Sequence, residues 1–350
     1  MSDTEIEIRR QGSLGRITLN RPKAINALTF GMLNAINGAL DGWQDTPDVA
    51  AVLIDGAGER GLCAGGDIRW LCDNVRAGHT ERADEFLATE YRLNARIARF
   101  SKPYIAIMDG LVMGGGIGIS AHGSVRIVTE RTKAAMPEVG IGFLPDVGGT
   151  YLLGMAPGEL GTHLALTGEI IQASDAILCG LADYHVLSGS IPELVERLGA
   201  CHDAAGIREC VLRYTTSPAP GKLGINRAWM DSCYAFDTMT EILAALRARP
   251  EAAAQDAATR IAGNCPTSLT LALRALRAAR QAARLEPCLE QEYRLVVGLI
   301  RQPDFSEGVR AAIVDKDRKP AWRPASLADL DATRIESFFR SEASLGLPAS

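Results

Sequence analysis

Apolar and polar positions alternate along "EIEIRRQGSLGRITLN" on both sides of a Gly-Ser-Leu-Gly turn, which predicts a β-hairpin. The chain turns at Arg21-Pro22, and the period then changes. "NALTFGMLNAINGALDGWQ" carries Leu28, Met32, Leu33, Ile36 and Leu40 at helical spacing behind Thr29 as a cap, and "VAAVLIDGAG" predicts a buried strand ending in glycine. A second cycle follows: a helix around "RADEFLATEYRLNARIARF", a strand in "KPYIAIMDG", a helix from "GGIGISAHG" and a strand in "SVRIVTE". Such alternation predicts an α/β architecture with helices covering sheet faces. Beyond about residue 205 the strand signals fade, and "FDTMTEILAALRARP", "TSLTLALRALRAARQAAR" and "CLEQEYRLVVGLIRQ" read as amphipathic helices. The expected organisation is therefore a mixed core over residues 1–205 and a helical region over 206–350, joined near "TTSPAPGKLG". The Pro-rich "KPAWRPASLADL" leads into a terminal helix.

Composition narrows the partners. With 350 residues, 47% hydrophobic and 23% charged, the chain buries a full core. A net charge of −5 and the lack of a lysine comb argue against nucleic acid and against attraction to anionic membranes, leaving a small molecule as the favoured partner. The longest nearly apolar stretch is broken by Asp109 and crowded with glycine, so it reads as strand, turn and helix rather than a membrane span. Eight cysteines lie scattered without C-x-x-C pairs, which predicts reduced thiols, and no His, Cys or Asp cluster has metal-ligand spacing. The acidic, polar start "MSDTEIEIRRQGS" lacks signal or transit character, and the expected location is the cytoplasm.

Chemistry concentrates in three places. Gly65-Gly66, after Cys63-Ala64, and Gly114-Gly115-Gly116, after Met113, each follow a predicted strand and precede helical sequence. Glycine lets backbone N–H donors approach a developing anion closely, and two such donors make an oxyanion hole; equally, these glycines can serve tight turns or close packing. "GGGIGIS" has no lysine in the frame a nucleotide-binding loop requires. Glu138 and Asp146 stand eight residues apart in the apolar, glycine-rich "AAMPEVGIGFLPDVGGTYLL". Carboxylates near an apolar pocket divide acid and base roles, although Glu138 could instead cap backbone or pair with arginine while Asp146 starts a helix. Cys63 has no histidine linked to it by a motif, which disfavours it as a nucleophile.

"NRPKAINALT", "GLCAGGDI", "KPYIAIMDGLVMGGGIGIS", "MPEVGIGFLPDVGGT" and "LTGEIIQASDAILCGLADYHV", in this order, resemble the enoyl-CoA hydratase/isomerase (crotonase) superfamily across roughly residues 5 to 190. The resemblance implies a spiral of ββα turns with a mainly helical C-terminal region, and oligomers, commonly trimers or their dimers. It implies that the amides of Gly66 and Gly115 receive a thioester oxygen. It further implies that Lys23, Ala24, Ala64, Asp67 and Ile68 line the coenzyme A groove, with bracing of the loop the preferred role for Asp67. One hydratase glutamate matches Gly118 here and the other matches Glu138, so half of the water-adding pair is missing. Asp146, where hydratases usually have glycine, "DFSEGVRAAIVDKDRKPAWRP" and Glu90 in "TEYRLN" extend the resemblance to a thioester-hydrolysing branch of the superfamily. That branch implies hydrolysis of 3-hydroxyisobutyryl-CoA, a step of valine breakdown, with Glu138 and Asp146 catalytic, Glu90 at the substrate, no cofactor, and coenzyme A arriving as part of the substrate. The rivals are an enoyl-CoA hydratase or isomerase of the same fold and a non-catalytic acyl-CoA-binding protein.

Overall fold

A computed structural model describes residues 4–348. Contacts divide the chain into two units, each assembled from three segments: Met1–Gly66, Arg92–Ala134 and Ile170–Gly221 in the first, and Asp67–Tyr91, Ala135–Glu169 and Lys222–Ser350 in the second. In content, the sequence expectation for residues 1–205 and 206–350 distinguishes strand-bearing from helical chain, and the contacts group the residues on another basis.

The first unit holds a six-stranded sheet. Strands β1 (Ile6–Gln11) and β2 (Leu14–Leu19) form the antiparallel hairpin, in which Gln11 pairs with Leu14. The turn is therefore only Gly12-Ser13; Leu14 and Gly15, expected in it, belong to β2 because Leu14 is fully buried in the core. Strands β3 (Ala51–Gly56), β4 (Tyr104–Met108), β6 (Val125–Val128) and β8 (Tyr184–His185) extend the sheet in parallel, in the order β1-β2-β3-β4-β6-β8. Two short strands, β5 (Leu111–Met113) and β7 (Lys133–Ala135), pair separately. Side chains alternate across each strand, so Leu53, Ile105, Ile107, Val125 and Ile127 line one face. They pack there against Leu194, Val195 and Leu198 of the helix Ile191–Leu198 and against Ile207 and Val211 of the helix Ala204–Tyr214. The helix Phe30–Gln44 starts as expected: the Thr29 hydroxyl accepts from the Met32 N–H at 3.2 Å. The helix expected from "GGIGISAHG" shrinks to Gly115–Gly118, one turn in which every residue is glycine or isoleucine.

The second unit is mainly helical. Its principal helices include Gly149–Gly154, Leu160–Thr167, Met239–Arg247, Ala252–Gly263, Pro266–Ala282 and Leu285–Leu299. Arg277 and Arg280 of one helix converge on Glu159, just ahead of Leu160–Thr167, at 2.9 and 2.6 Å. Near the C-terminus the helix Pro303–Val309 widens into a π-helical turn over Arg310–Val314, and the expected terminal helix spans Ala332–Phe339. Among the described residues, no helix is long and apolar enough to cross a membrane.

Candidate active site

In the first unit, two glycine loops run side by side. Segment 61–65 follows β5: the Cys63 N–H donates to the Leu111 carbonyl at 3.2 Å and the Met113 N–H to the Cys63 carbonyl at 3.0 Å. On its other flank, Ala64 donates to Ile25 and Leu28 donates to Gly65, at 2.9 and 2.8 Å, fixing the loop to the turn that contains Lys23 and Ala24. Gly65 has φ +109°, a conformation L-residues avoid, and a Cβ there would lie 3.5 Å from the Gly115 nitrogen. These contacts bring the Gly66 and Gly115 loops together. Neither amide donates a hydrogen bond to another group among the described residues. Gly115 opens the helix Gly115–Gly118, so its N–H has no intrahelical acceptor. The glycines thus do more than turn the chain: they leave two donors unspent.

Cys63 is buried within this loop, and its sulfur accepts from the Gly65 N–H at 3.3 Å. That contact braces the loop. Lys23 and Ala24 are exposed on a 3-10 turn, and Ala64 is half-buried. In the second unit, the Asp67 carboxylate accepts from the Trp70 N–H at 3.2 Å and caps the helix Ile68–Arg76, whose first residue is Ile68.

The second unit gathers the carboxylates. Glu138 begins a 3-10 turn, Glu138–Ile141, and is 6% exposed. The turn is wedged in place: at Gly142 (φ +72°) a Cβ would sit 2.5 Å from the Asp304 carbonyl oxygen, and the Cys265 N–H donates to the Val139 carbonyl at 3.0 Å. Glu138 Oε2 is buried without a hydrogen-bond partner. Burial, and then the charge of Asp146, hold its proton affinity well above the usual glutamate range, and among the described residues no arginine pairs with it, against the arginine-pair alternative.

Asp146 does not start the helix, as the alternative expected. The helix Gly149–Gly154 has Gly148 as its cap, while Asp146 Oδ2 accepts from the Tyr91 hydroxyl at 2.6 Å. Burial raises Asp146 to about 7 against the lowering effect of Tyr91. The two carboxyls are held differently: the Tyr91 hydroxyl favours ionised Asp146, whereas Glu138 keeps one oxygen, Oε2, without a hydrogen-bond partner.

Glu90, one residue before Tyr91 on the helix Thr80–Ala98, is 2% exposed with Oε1 unpartnered, and burial first, then Asp146, pushes its carboxyl up. Asn94, one turn further on, is buried with both amide atoms unpartnered. Buried polar groups without partners are rare, and each marks a position that a bound polar group would satisfy.

Tyr91 and Glu292 were not anticipated from the sequence. Glu292, on Leu285–Leu299, is fully buried; it accepts from the Gly148 N–H at 2.7 Å and the Thr150 N–H at 2.8 Å, and from the Thr150 hydroxyl at 2.5 Å. It fixes the loop in which Val147 (φ +52°) and Gly148 (φ +80°) reverse the chain after Asp146. A β-branched residue is strained at positive φ, and these hydrogen bonds hold the strained turn.

The enoyl-CoA hydratase/isomerase family model matches residues 14–339, and the chain belongs to that family. The mitochondrial 3-hydroxyisobutyryl-CoA hydrolase of Rattus norvegicus is 40% identical over 96% of this chain and 89% of its own length, and the Homo sapiens protein of that name is 38% identical over the same shares. A crystal structure of a carnitinyl-CoA dehydratase from Mycobacterium thermoresistibile has a TM-score of 0.93 and 45% identity, covering 99% of both chains. The fold is the α/β fold of that family, with a helical C-terminal region.

Proposed function

We propose that this chain hydrolyses the thioester of 3-hydroxyisobutyryl-CoA to 3-hydroxyisobutyrate and coenzyme A, as a step in valine breakdown. The observation that carries the reading is the buried Glu138/Asp146 pair, in which burial raises both carboxyls and Tyr91 donates to Asp146 alone. The Gly66 and Gly115 amides receive the thioester oxygen; removing one such donor in acyl-transfer enzymes costs about 3–4 kcal/mol. Glu138 takes the proton of the attacking water, or itself attacks the carbonyl to give an anhydride that water opens. Asp146, oriented by Tyr91, holds the substrate hydroxyl or returns the proton to the leaving thiolate. Glu90 meets the acyl group. Lys23, Ala24, Ala64, Asp67 and Ile68 serve the coenzyme A portion, which enters as part of the substrate; no separate cofactor takes part.

The rival is a hydration or dehydration of an acyl-CoA, favoured by the dehydratase described above. Gly118, where a hydratase glutamate is expected, argues against it. Release of free thiol from 3-hydroxyisobutyryl-CoA, beside hydration of crotonyl-CoA and dehydration of carnitinyl-CoA in one preparation, decides the matter. Thiol release as the dominant activity supports hydrolysis, and turnover of either other substrate with intact thioester overturns it. Recovery of the thiol-releasing activity from the cytosolic fraction of the source cells is the expected result for the proposed cytoplasmic location, the mammalian relatives being named as mitochondrial.

Gly116→Ala tests the oxyanion loops. A Cβ at Gly116 would lie 2.5 Å from the Cys63 carbonyl oxygen, so the two loops must separate. Overpacking of this kind costs about 1–3 kcal/mol of stability, measurable by urea denaturation. Thiol release is expected to fall further than stability does, because the Gly115 donor moves with its neighbour.

A further inference from the structure

Two cysteines outside the proposed site share a cavity. Cys201 follows the helix Ile191–Leu198, and Cys210 lies within the helix Ala204–Tyr214. Both are half-buried, whereas Cys63, Cys72, Cys179, Cys233, Cys265 and Cys288 are buried. Both line one cavity of about 570 Å³, together with Arg197, Glu209, Arg213 and Tyr214. Both pack against the same apolar core of the first unit. The placement is fixed from several directions: the Ser13 hydroxyl donates to the Cys201 carbonyl, and Cys201 Sγ donates to the Arg197 carbonyl at 3.5 Å. Cys201 Cβ lies 3.8 Å from where a Cβ on Gly206 would stand, and Gly206 is one helical turn before Cys210. Cys201, just ahead of this helix, and Cys210, on it, thus open to the same cavity.

We propose that Cys201 and Cys210 form a peroxide-reactive dithiol site that closes reversibly into an intramolecular disulfide. In this reaction Cys201, as thiolate, attacks a hydroperoxide oxygen; the O–O bond breaks, an S–O bond forms, and with one proton hydrogen peroxide gives up one water. The Cys210 sulfur then attacks the Cys201 sulfenic acid. The S–O bond breaks, the S–S bond forms, and the Cys210 proton leaves with the hydroxyl as a second water. Two thiols are oxidised by two electrons in total and one peroxide is reduced to two waters.

Cys210 sets the order of attack. Burial, and then Cys201, push the Cys210 thiol up to about 11, so Cys210 keeps its proton and serves as the resolving thiol. Cys201 opens to the same cavity beside Arg197, whose carbonyl accepts from its Sγ, and so makes the first attack. Peroxide reaches the pair through the cavity, while burial shields the other six cysteines.

The full chain is treated with a few equivalents of hydrogen peroxide, blocked with iodoacetamide and digested with trypsin without reductant. Arg197, Arg208 and Arg213 place the two cysteines on separate peptides, 198–208 and 209–213. The expected product is these peptides linked, two hydrogens lighter than their sum, and separated again by dithiothreitol. Cys210→Ser is expected to accumulate a sulfenic acid at Cys201 that dimedone traps; Cys201→Ser leaves Cys210 reduced. Unchanged thiol release from the acyl-CoA substrate and unchanged circular dichroism show that these variants fold. The proposal is overturned if both cysteines are alkylated as fully after peroxide as before, or if each is oxidised singly with no linked peptide.

Discussion

Glu138→Gln is expected to lower thiol release by about 10²–10⁴-fold, the range that a positioned general base contributes, while Kd for the acyl-CoA changes little. Glutamine fills the same buried volume and cannot take a proton. The pH profile supplies an independent sign. Burial first, then Asp146, raises the proton affinity of Glu138 above the ordinary glutamate range. Below that raised value Glu138 is protonated and cannot act as base, so kcat/KM is expected to rise with pH along a limb lying well above ordinary glutamate titration. Asp146→Asn removes a negative charge that favours the protonated form, so any residual activity should show this limb displaced toward acid. A flat profile between about pH 5 and about pH 9 in the wild type would remove Glu138 from the base role.

The pair stands out in the sequence because two carboxylates lie in apolar, glycine-rich chain, but their residues leave a structural reading equally open, and the family resemblance decides between the two. The residues that support it were harder to read. Glu292 lies 146 positions beyond Asp146, in a helix that also carries Glu286 and Glu290, and composition does not separate the three. Register does: Leu285, Cys288, Leu289, Leu295, Val296 and Leu299 form a buried stripe at helical spacing, and Glu292 falls on it. The same holds for Glu90 and Asn94, which share the stripe of Ala83, Phe86, Leu87 and Ile97. A polar residue on an apolar stripe is the signal that a site reaches into a helix, and it can be read without a structure. The partner of such a residue cannot: which backbone Glu292 binds depends on chain folding between residues far apart. Local limits also follow from packing. Leu14 joins its strand instead of the turn because the sheet buries it, and the glycine-rich helix ends after one turn because its residues propagate helix poorly.

Glu292→Ala is expected to cost about 3–5 kcal/mol of stability, because the Gly148 and Thr150 N–H groups and the Thr150 hydroxyl lose their acceptor in a buried place. Glu292→Gln separates position from charge. Burial holds the folded carboxyl at about 8, against an ordinary value of 4.5, despite the three donors that favour its anion. Between these values the folded state binds more protons than the unfolded state, so stability must fall as pH rises, by about 1.4 kcal/mol per pH unit for each group so perturbed. Asp146, raised from 3.8 to about 7, contributes with the same sign over a lower window. Below about pH 4.5 the wild type is expected to be more stable than Glu292→Gln, because a carboxyl accepts from all three donors and an amide nitrogen cannot. As pH climbs to about 8 the two urea midpoints should converge, since the variant has no charge to bury. Parallel curves at a constant offset would show that Glu292 is ionised throughout. The loop's effect on chemistry appears separately: Glu292→Gln should lower kcat more than it changes KM, because Asp146, and with it the Tyr91 hydrogen bond, loses its fixed position while the coenzyme A groove is untouched.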